Sequence, residues 1–152
     1  LHQVGRWRRA VGVRALARLP GWLAAGEVRA RRRMALLRER IPELQVIEDS
    51  HAVPDARGTW PTLLVLLPDA ARREAAIAAL WGQGLGVSLP FVHALPDYPR
   101  YARHIMQSTG DAWPHARDFA ARVLAISNSP WLSDADFDRI CAVLRRLVLR
   151  PS

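Results

Sequence analysis

PTLLVLLPDAARREAAIAALWGQGLGVSLP, residues Pro61 to Pro90, reads as strand, capped helix, glycine stop and strand. Leu63 to Leu67 is a short continuous apolar run, the length of a buried strand, and Pro68 ends it. Asp69 stands where a helix N-cap belongs, because its carboxylate accepts from the free N–H groups of the first turn. Ala76, Ile77, Leu80 and Trp81 fall at helical spacing and form one apolar face. Gly82, Gly84 and Gly86 stop the helix, since glycine takes a left-handed terminus without a Cβ clash. Leu85 to Leu89 is short enough to pair as a neighbouring strand.

Upstream, Trp7, Val11, Ala15 and Leu19 are spaced by fours and predict a helix that Pro20 and Gly21 break. A second helix is expected from Trp22 to Ile41, with Leu23, Ala30, Met34, Leu37 and Ile41 along one face and arginines over much of the rest. Leu44 to Glu48 alternates as an edge strand, and Asp49 to Trp60 reads as a loop that shelters the next strand through Trp60. Downstream, a short helix is expected over Arg100 to Gln107 and another from Pro114 to about Arg122. Val123 to Ile126 makes a third strand. Ser133, with Asp136 three residues on, resembles a capping box ahead of a last helix faced by Phe137, Ile140, Leu144 and Leu147. The expected fold is α/β of the α+β kind: a small, largely antiparallel sheet of three or four strands, helices on one face, and two N-terminal helices in front. The division is residues 1–43 for those helices and 44–152 for a small domain.

The 152 residues suit one ordinary domain, and no apolar run approaches the ~20 residues that span a bilayer. Charges stand where a secretory signal needs its apolar stretch, so none is expected. The single cysteine, Cys141, cannot form an internal disulfide and fits a reducing, cytoplasmic setting. All 22 basic residues are arginine. With no lysine there is no side-chain primary amine, so this segment cannot itself form a Schiff base with a carbonyl. Residues 1–40 hold 11 Arg against Glu27 and Glu39, a net of +9, whereas the remainder is at −1. The high charge therefore belongs to the N-terminal third.

The residues alone give no catalytic constellation. His2, His51, His93, His104 and His115 have no metal-ligand spacing with one another or with Cys141. The three glycines follow a helix, whereas a phosphate loop follows a strand and opens one. Ser127, Ser129 and Ser133 lie in no nucleophile elbow. The arginine groups Arg6, Arg8, Arg9 and Arg29, Arg31, Arg32, Arg33, with Trp7 and Trp22 beside them, read either as a solvated helix face or as a patch for nucleic-acid phosphate, anionic lipid or a diphosphate.

Three segments resemble one family. VRARRRMALLRERI (Val28 to Ile41) is similar to an Arg-rich helix leading into a small domain. LPDAARREAAIAALWGQGLGVS (Leu67 to Ser88) is similar to a strand, helix and "Gly-Ile-Gly" turn. ARDFAARVLAISNSPWLSDADFDRICAVLRRL (Ala116 to Leu147) is similar to a closing helix, a strand, a "Leu-Pro-x-His-Pro" turn and a last helix. Together they resemble the C-terminal part of the DegT/DnrJ/EryC1/StrS aminotransferases, enzymes of fold type I that use pyridoxal phosphate. Ser127 and Ser129 depart from the Pro and His of the family's turn. The resemblance implies a parent enzyme that transfers an amino group, typically from glutamate, to a nucleotide-linked keto sugar. It implies a missing large domain that carries the cofactor pocket and the Schiff-base lysine, and a homodimer. Exposed apolar surface on the N-terminal helices would then meet the large domain or the other subunit. The loop from Ser88 to Tyr98 would shape the substrate cleft through Ser88, Phe91, His93 and Tyr98, and no catalytic, cofactor-binding or metal residue is assigned here. The alternative is a non-enzymatic basic module that binds nucleic acid or an anionic membrane through its N-terminal arginines.

Overall fold

The computed structural model describes residues 4–48, 58–101 and 113–149. The elements run α1 (Arg6–Arg40), β1 (Gln45–Ile47), β2 (Thr62–Leu66), α2 (Ala70–Trp81), β3 (Val87–Ser88), a 3-10 turn (Leu95–Asp97), α3 (Pro114–Arg122), β4 (Val123–Ser127) and α4 (Asp134–Val148). The sheet is antiparallel with order β1-β2-β4-β3. β1 is an edge strand as its alternation predicts, and the strand next to β3 is β4. Of the helix expected over Arg100 to Gln107 the described residues include Arg100 and Tyr101, both helical, and the rest of it lies outside them, as does most of the Asp49 to Trp60 loop.

Register explains the burial. Val46 faces Val65, Val65 faces Leu124, and Ile126 is opposed by Leu63 on one side and Val87 on the other. Residues directly opposite in an antiparallel ladder share a face. That face packs into one core with Met34 and Leu37 of α1, Ile77 and Leu80 of α2, and Phe137, Ile140 and Leu144 of α4. The helices thus lie on one face of the sheet. In β4 Val123, Leu124, Ala125 and Ile126 are all buried, which is why the strand reads as an unbroken apolar run.

The caps follow the sequence. The Asp69 carboxylate accepts from the Arg72 backbone N–H at 2.7 Å, and the Ser133 hydroxyl accepts from the Asp136 N–H at 3.1 Å. Arg72 Nε donates to the Leu147 carbonyl at 3.1 Å, tying the start of α2 to the end of α4. At the glycine stop the left-handed residue is Gly84, with φ 66°, whereas Gly82 stays right-handed helical. Gly86 is needed for close approach, because a Cβ there would sit 3.1 Å from that of Ser127.

The expected break at Pro20 and Gly21 does not occur: α1 is one helix of 35 residues. Proline removes the N–H that would bond the Leu16 carbonyl and crowds that carbonyl with its ring, but this part of the helix is exposed, so the freed carbonyl is open to solvent. The uninterrupted helix still has a cost. Relative to alanine, Pro20 costs about 3 kcal/mol and Gly12 and Gly21 about 1 kcal/mol each. No burial offsets this, since residues 4–22 are exposed throughout.

The C-terminal half of α1 is held by a buried polar clamp. Asn128, 2% exposed, donates its amide to the Gly26 carbonyl at 2.8 Å and the Trp60 carbonyl at 2.9 Å. Arg33, also 2% exposed, donates to the Leu132 carbonyl at 2.5 Å. It reaches the Ser127 carbonyl at 3.3 Å, and Asn128 Oδ1 and the Ser129 carbonyl at 3.4 Å. Its guanidinium carbon lies 5.1 Å from the Phe137 ring centroid. Arg29 Nε adds a bond of 2.9 Å to the Asn128 carbonyl. Burial first, then the neighbouring Arg29 charge, pulls the Arg33 guanidinium below its ordinary value, while Asp134 opposes the shift. Trp60 packs against the core as anticipated and holds φ at 48° beside this clamp.

Two outcomes follow from these contacts. Asn128→Ala removes the hydrogen bonds to the Gly26 and Trp60 carbonyls and an acceptor from Arg33, so urea unfolding should show a loss of about 2–4 kcal/mol. An unchanged midpoint would mean that the clamp carries no stability. The second concerns pH. Asp69 is held below the usual carboxylate range by the Arg72 backbone N–H, Asp134 by the Arg32 side chain, and Asp136 by the Arg139 and then the Ser133 side chains. Folded-state values below the unfolded one, about 3.9, give stability that is complete above about pH 5 and is lost as pH falls through the folded values. The urea midpoint should therefore drop between pH 5 and pH 3. Asp69→Asn, which keeps a cap acceptor but cannot titrate, should flatten part of that drop.

Candidate functional site

After β3 the chain turns through Leu89 and Pro90 into the loop that carries the predicted site residues. Ser88 ends β3 with its side chain exposed, opposite Ala125 and on the face away from the main core. Phe91 and His93 are exposed and Tyr98 is half-buried. The loop is shaped from below. Ala94 and Pro96 are buried, the 3-10 turn carries the chain over them, and Asp97 pairs with Arg117 of α3 at 2.8 Å.

The arrangement brings three of the four predicted residues together. His93 and Tyr98 meet edge to face with ring centroids 5.5 Å apart. Phe91 is tilted against Phe119 of α3 at 6.0 Å. Between the loop and α3 lies a groove of about 340 Å³ lined by Phe91, His93, Ala94, Leu95, Ala116 and Phe119. Of the predicted residues Phe91 and His93 line it; Tyr98 reaches it only through His93, and Ser88 stands apart. Among the described residues the wall is almost wholly apolar, with His93 the one hydrogen-bonding side chain, so this part of the groove can shelter an apolar or flat group and touch one polar atom. Phe119 and Leu95 were missed in the sequence. The trace of Phe119 is its spacing of three from Ala116, one apolar edge on an otherwise polar helix.

The other sequence candidates are spent structurally. Ser127 Oγ accepts from the Ser129 N–H and Ser129 Oγ from the Trp131 N–H, each at 3.1 Å, which closes the turn after β4. Cys141 is buried, and burial pushes its thiol pKa up, away from reactivity. His115 is exposed on α3, and His2, His51 and His104 lie outside the described residues. Among the described residues no helix is long and apolar enough to cross a membrane.

The arginine cluster separates into two parts. Arg29 and Arg33 serve the clamp. Arg31 pairs with Glu27 and Arg32 with Asp134, both at 2.8 Å, Arg40 with Asp138 at 2.5 Å, and Arg38 with Glu48. Arg6, Arg8, Arg9, Arg14 and Arg18 form no ion pair among the described residues, and no acidic residue precedes Glu27. Within α1, the arginines with neither an ion pair nor a side-chain hydrogen bond among the described residues are thus those of its first half.

A sequence profile of the DegT/DnrJ/EryC1/StrS aminotransferase family matches residues 7–145. No curated protein matches the chain. Among solved structures, an aminotransferase of this family from Brucella abortus is 22% identical with a TM-score of 0.66, over 91% of this chain and 34% of that one. DesV from S. venezuelae, solved in complex with a ketimine intermediate, is 20% identical with a TM-score of 0.74, over 95% and 36%. The aminotransferase TlmJ from Streptoalloteichus hindustanus is 19% identical with a TM-score of 0.68, over 92% and 35%. These identities speak for the fold, and the chain spans about a third of each neighbour's length. With the family's profile running through the clamp, the groove and both capped helices, this chain belongs to the DegT/DnrJ/EryC1/StrS aminotransferase family.

Proposed function

We propose that the chain is the C-terminal part of a pyridoxal-phosphate-dependent aminotransferase that passes an amino group to a nucleotide-linked keto sugar. Residues 1–43 would lead into the small domain formed by 44–152, in a cytoplasmic homodimer. The observation that carries the reading is the coincidence of the family match over residues 7–145 with a groove at the loop where the family's substrate is expected. The residues present do not fit the cofactor. The chain has no lysine to hold it, and among the described residues the groove is apolar apart from one imidazole, with no array of donors for a phosphate. The cofactor and its lysine would belong to the missing large domain.

The work assigned to this chain is binding. Phe91 and Phe119 exclude water from one side of the cleft. His93 offers a hydrogen bond to a polar atom of the substrate, and Tyr98 holds the imidazole by its edge. Ser88, exposed at the end of β3, stands outside the groove and would meet a more polar part of the ligand. The alternative reading, a basic module for anionic polymers or surfaces, is left with Arg6, Arg8, Arg9, Arg14 and Arg18, because Arg29 to Arg33 are occupied within the chain.

Two measurements test the proposal. Borohydride treatment of this chain with pyridoxal phosphate should leave no side-chain adduct by peptide mass spectrometry, and a trapped side chain would contradict the assignment of the amine to other polypeptide. In an enzyme completed by a lysine-bearing large domain, His93→Ala should raise KM for the keto sugar about tenfold with kcat nearly unchanged, as loss of one binding hydrogen bond requires. A fall in kcat at constant KM would make His93 part of the chemical step instead.

A further inference from the structure

We infer that the cleft between the glycine stop and the turn after β4 is a second binding site, for a neutral polyhydroxylated ring such as a glycosyl unit stacked on Trp131. It lies at the other end of β3 from the groove described above and shares no residue with it. The inference does not depend on the aminotransferase reading.

The cleft has a volume of about 340 Å³, enough for a small ligand. Three parts of the chain wall it: the glycine stop after α2, the turn after β4 and the first turns of α4. Leu85 and Leu132 line it and are buried, so its base is apolar. Gly84, at φ 66°, leaves its wall bare, and a Cβ there would meet nothing within 4 Å. Trp131 forms the rim. At 87% it is the most exposed large apolar side chain of the described residues. A single exposed apolar residue is ordinary; the mounting of this one is not. The Trp131 N–H donates to Ser129 Oγ at 3.1 Å and the Leu132 N–H to the Ser129 carbonyl at 3.3 Å. Arg33 of the clamp donates to the Leu132 and Ser129 carbonyls. The indole therefore projects from a fixed turn, and a ligand that stacks on it orders little backbone.

The polar groups select what stacks there. Ser127 and Ser129 close the turn as acceptors, yet among the described residues their own hydroxyl protons have no acceptor. Gln83 donates its amide to the Ala79 carbonyl at 3.0 Å and keeps its oxygen for a donor. Asp136 accepts from the Ser133 hydroxyl and from Arg139 and has lone pairs to spare. Donors and acceptors thus surround one aromatic face from three sides. A pyranose has the matching form, with hydroxyls that both donate and accept around its edge and a C–H face that lies on an indole. Other ligands fit less well. Arg139 is the one cation among the lining residues and is neutralised by Asp136, so a phosphate finds no surplus charge. A purely apolar molecule would strand the hydroxyls and the Gln83 oxygen. A nucleobase would stack, but it carries its polar atoms in one plane and serves fewer of the three walls.

The test is an NMR titration of the isotope-labelled chain with glucose, galactose, mannose, N-acetylglucosamine and their methyl glycosides. At least one should shift the Trp131 indole N–H and the Gln83 side-chain amide together, with a Kd on the order of 1 mM, as suits one small ring. Followed at Gln83, Trp131→Phe should weaken binding about threefold and Trp131→Ala at least ~10-fold, since the first keeps an aromatic face and the second does not. The urea midpoint of both variants should stay unchanged, because the side chain is exposed. Tighter binding of a methyl glycoside than of its free sugar would identify the source as a glycoside or glycan, and the reverse a free sugar; either upholds the site. No response to any sugar, equal affinity in Trp131→Ala, or a stronger response to adenosine or inorganic phosphate than to every sugar would overturn it.

Discussion

The clamp between α1 and the turn after β4 is the contact on which the rest of the structure depends. Asn128 follows β4, the strand paired with both β2 and β3, so whatever fixes Asn128 fixes the end of the sheet. Its amide reaches two carbonyls, one on α1 and one just before β2, and its oxygen faces Arg33. A helix, a strand entry and a turn distant in sequence therefore share one buried polar centre. Such a centre is costly when half satisfied and rigid when complete. Arginine suits it better than lysine, since a planar fork can address several carbonyls while its face rests on Phe137.

What could be read in the sequence was local. Asp69 and Ser133 announced their helices because a cap depends on four consecutive residues. The run from Leu63 to Leu67 and the burial of β4 were visible because continuous apolar strands have few other uses. Pro20 misled because its penalty was weighed without the rest of the helix, although an exposed carbonyl four residues back removes the need for a break. Gly82 misled in the same manner, since the left-handed residue falls two positions later. Arg33 lay on the apolar line of α1, between Ala30 and Leu37, yet its partners are more than ninety residues away and no periodicity names them.

The candidate site was legible only through resemblance. Ser88, Phe91, His93 and Tyr98 make no motif by spacing, and their loop acquires a wall only when α3 brings Phe119 beside Phe91. The Asp97–Arg117 pair joins loop and helix directly, and Ala94 shares the groove with Ala116 and Phe119. The arginine cluster, by contrast, was conspicuous in the sequence and has different roles in the fold: its second half is consumed by partners within the chain, and only the first half remains open.

The two halves of α1 can be compared as one experiment in burial. They share a helix, an apolar line and a wealth of arginine, but one half has carboxylates, carbonyls and a sheet to meet and the other has solvent. Where partners exist, arginine becomes structural and the line disappears into the core. Where they do not, the same composition leaves tryptophan exposed beside unpaired charge, around a proline and two glycines that weaken the helix. The groove beside α3 shows the same contrast on a smaller scale: among the described residues its wall is apolar except for the His93 imidazole, which meets Tyr98 by its edge rather than a charged partner.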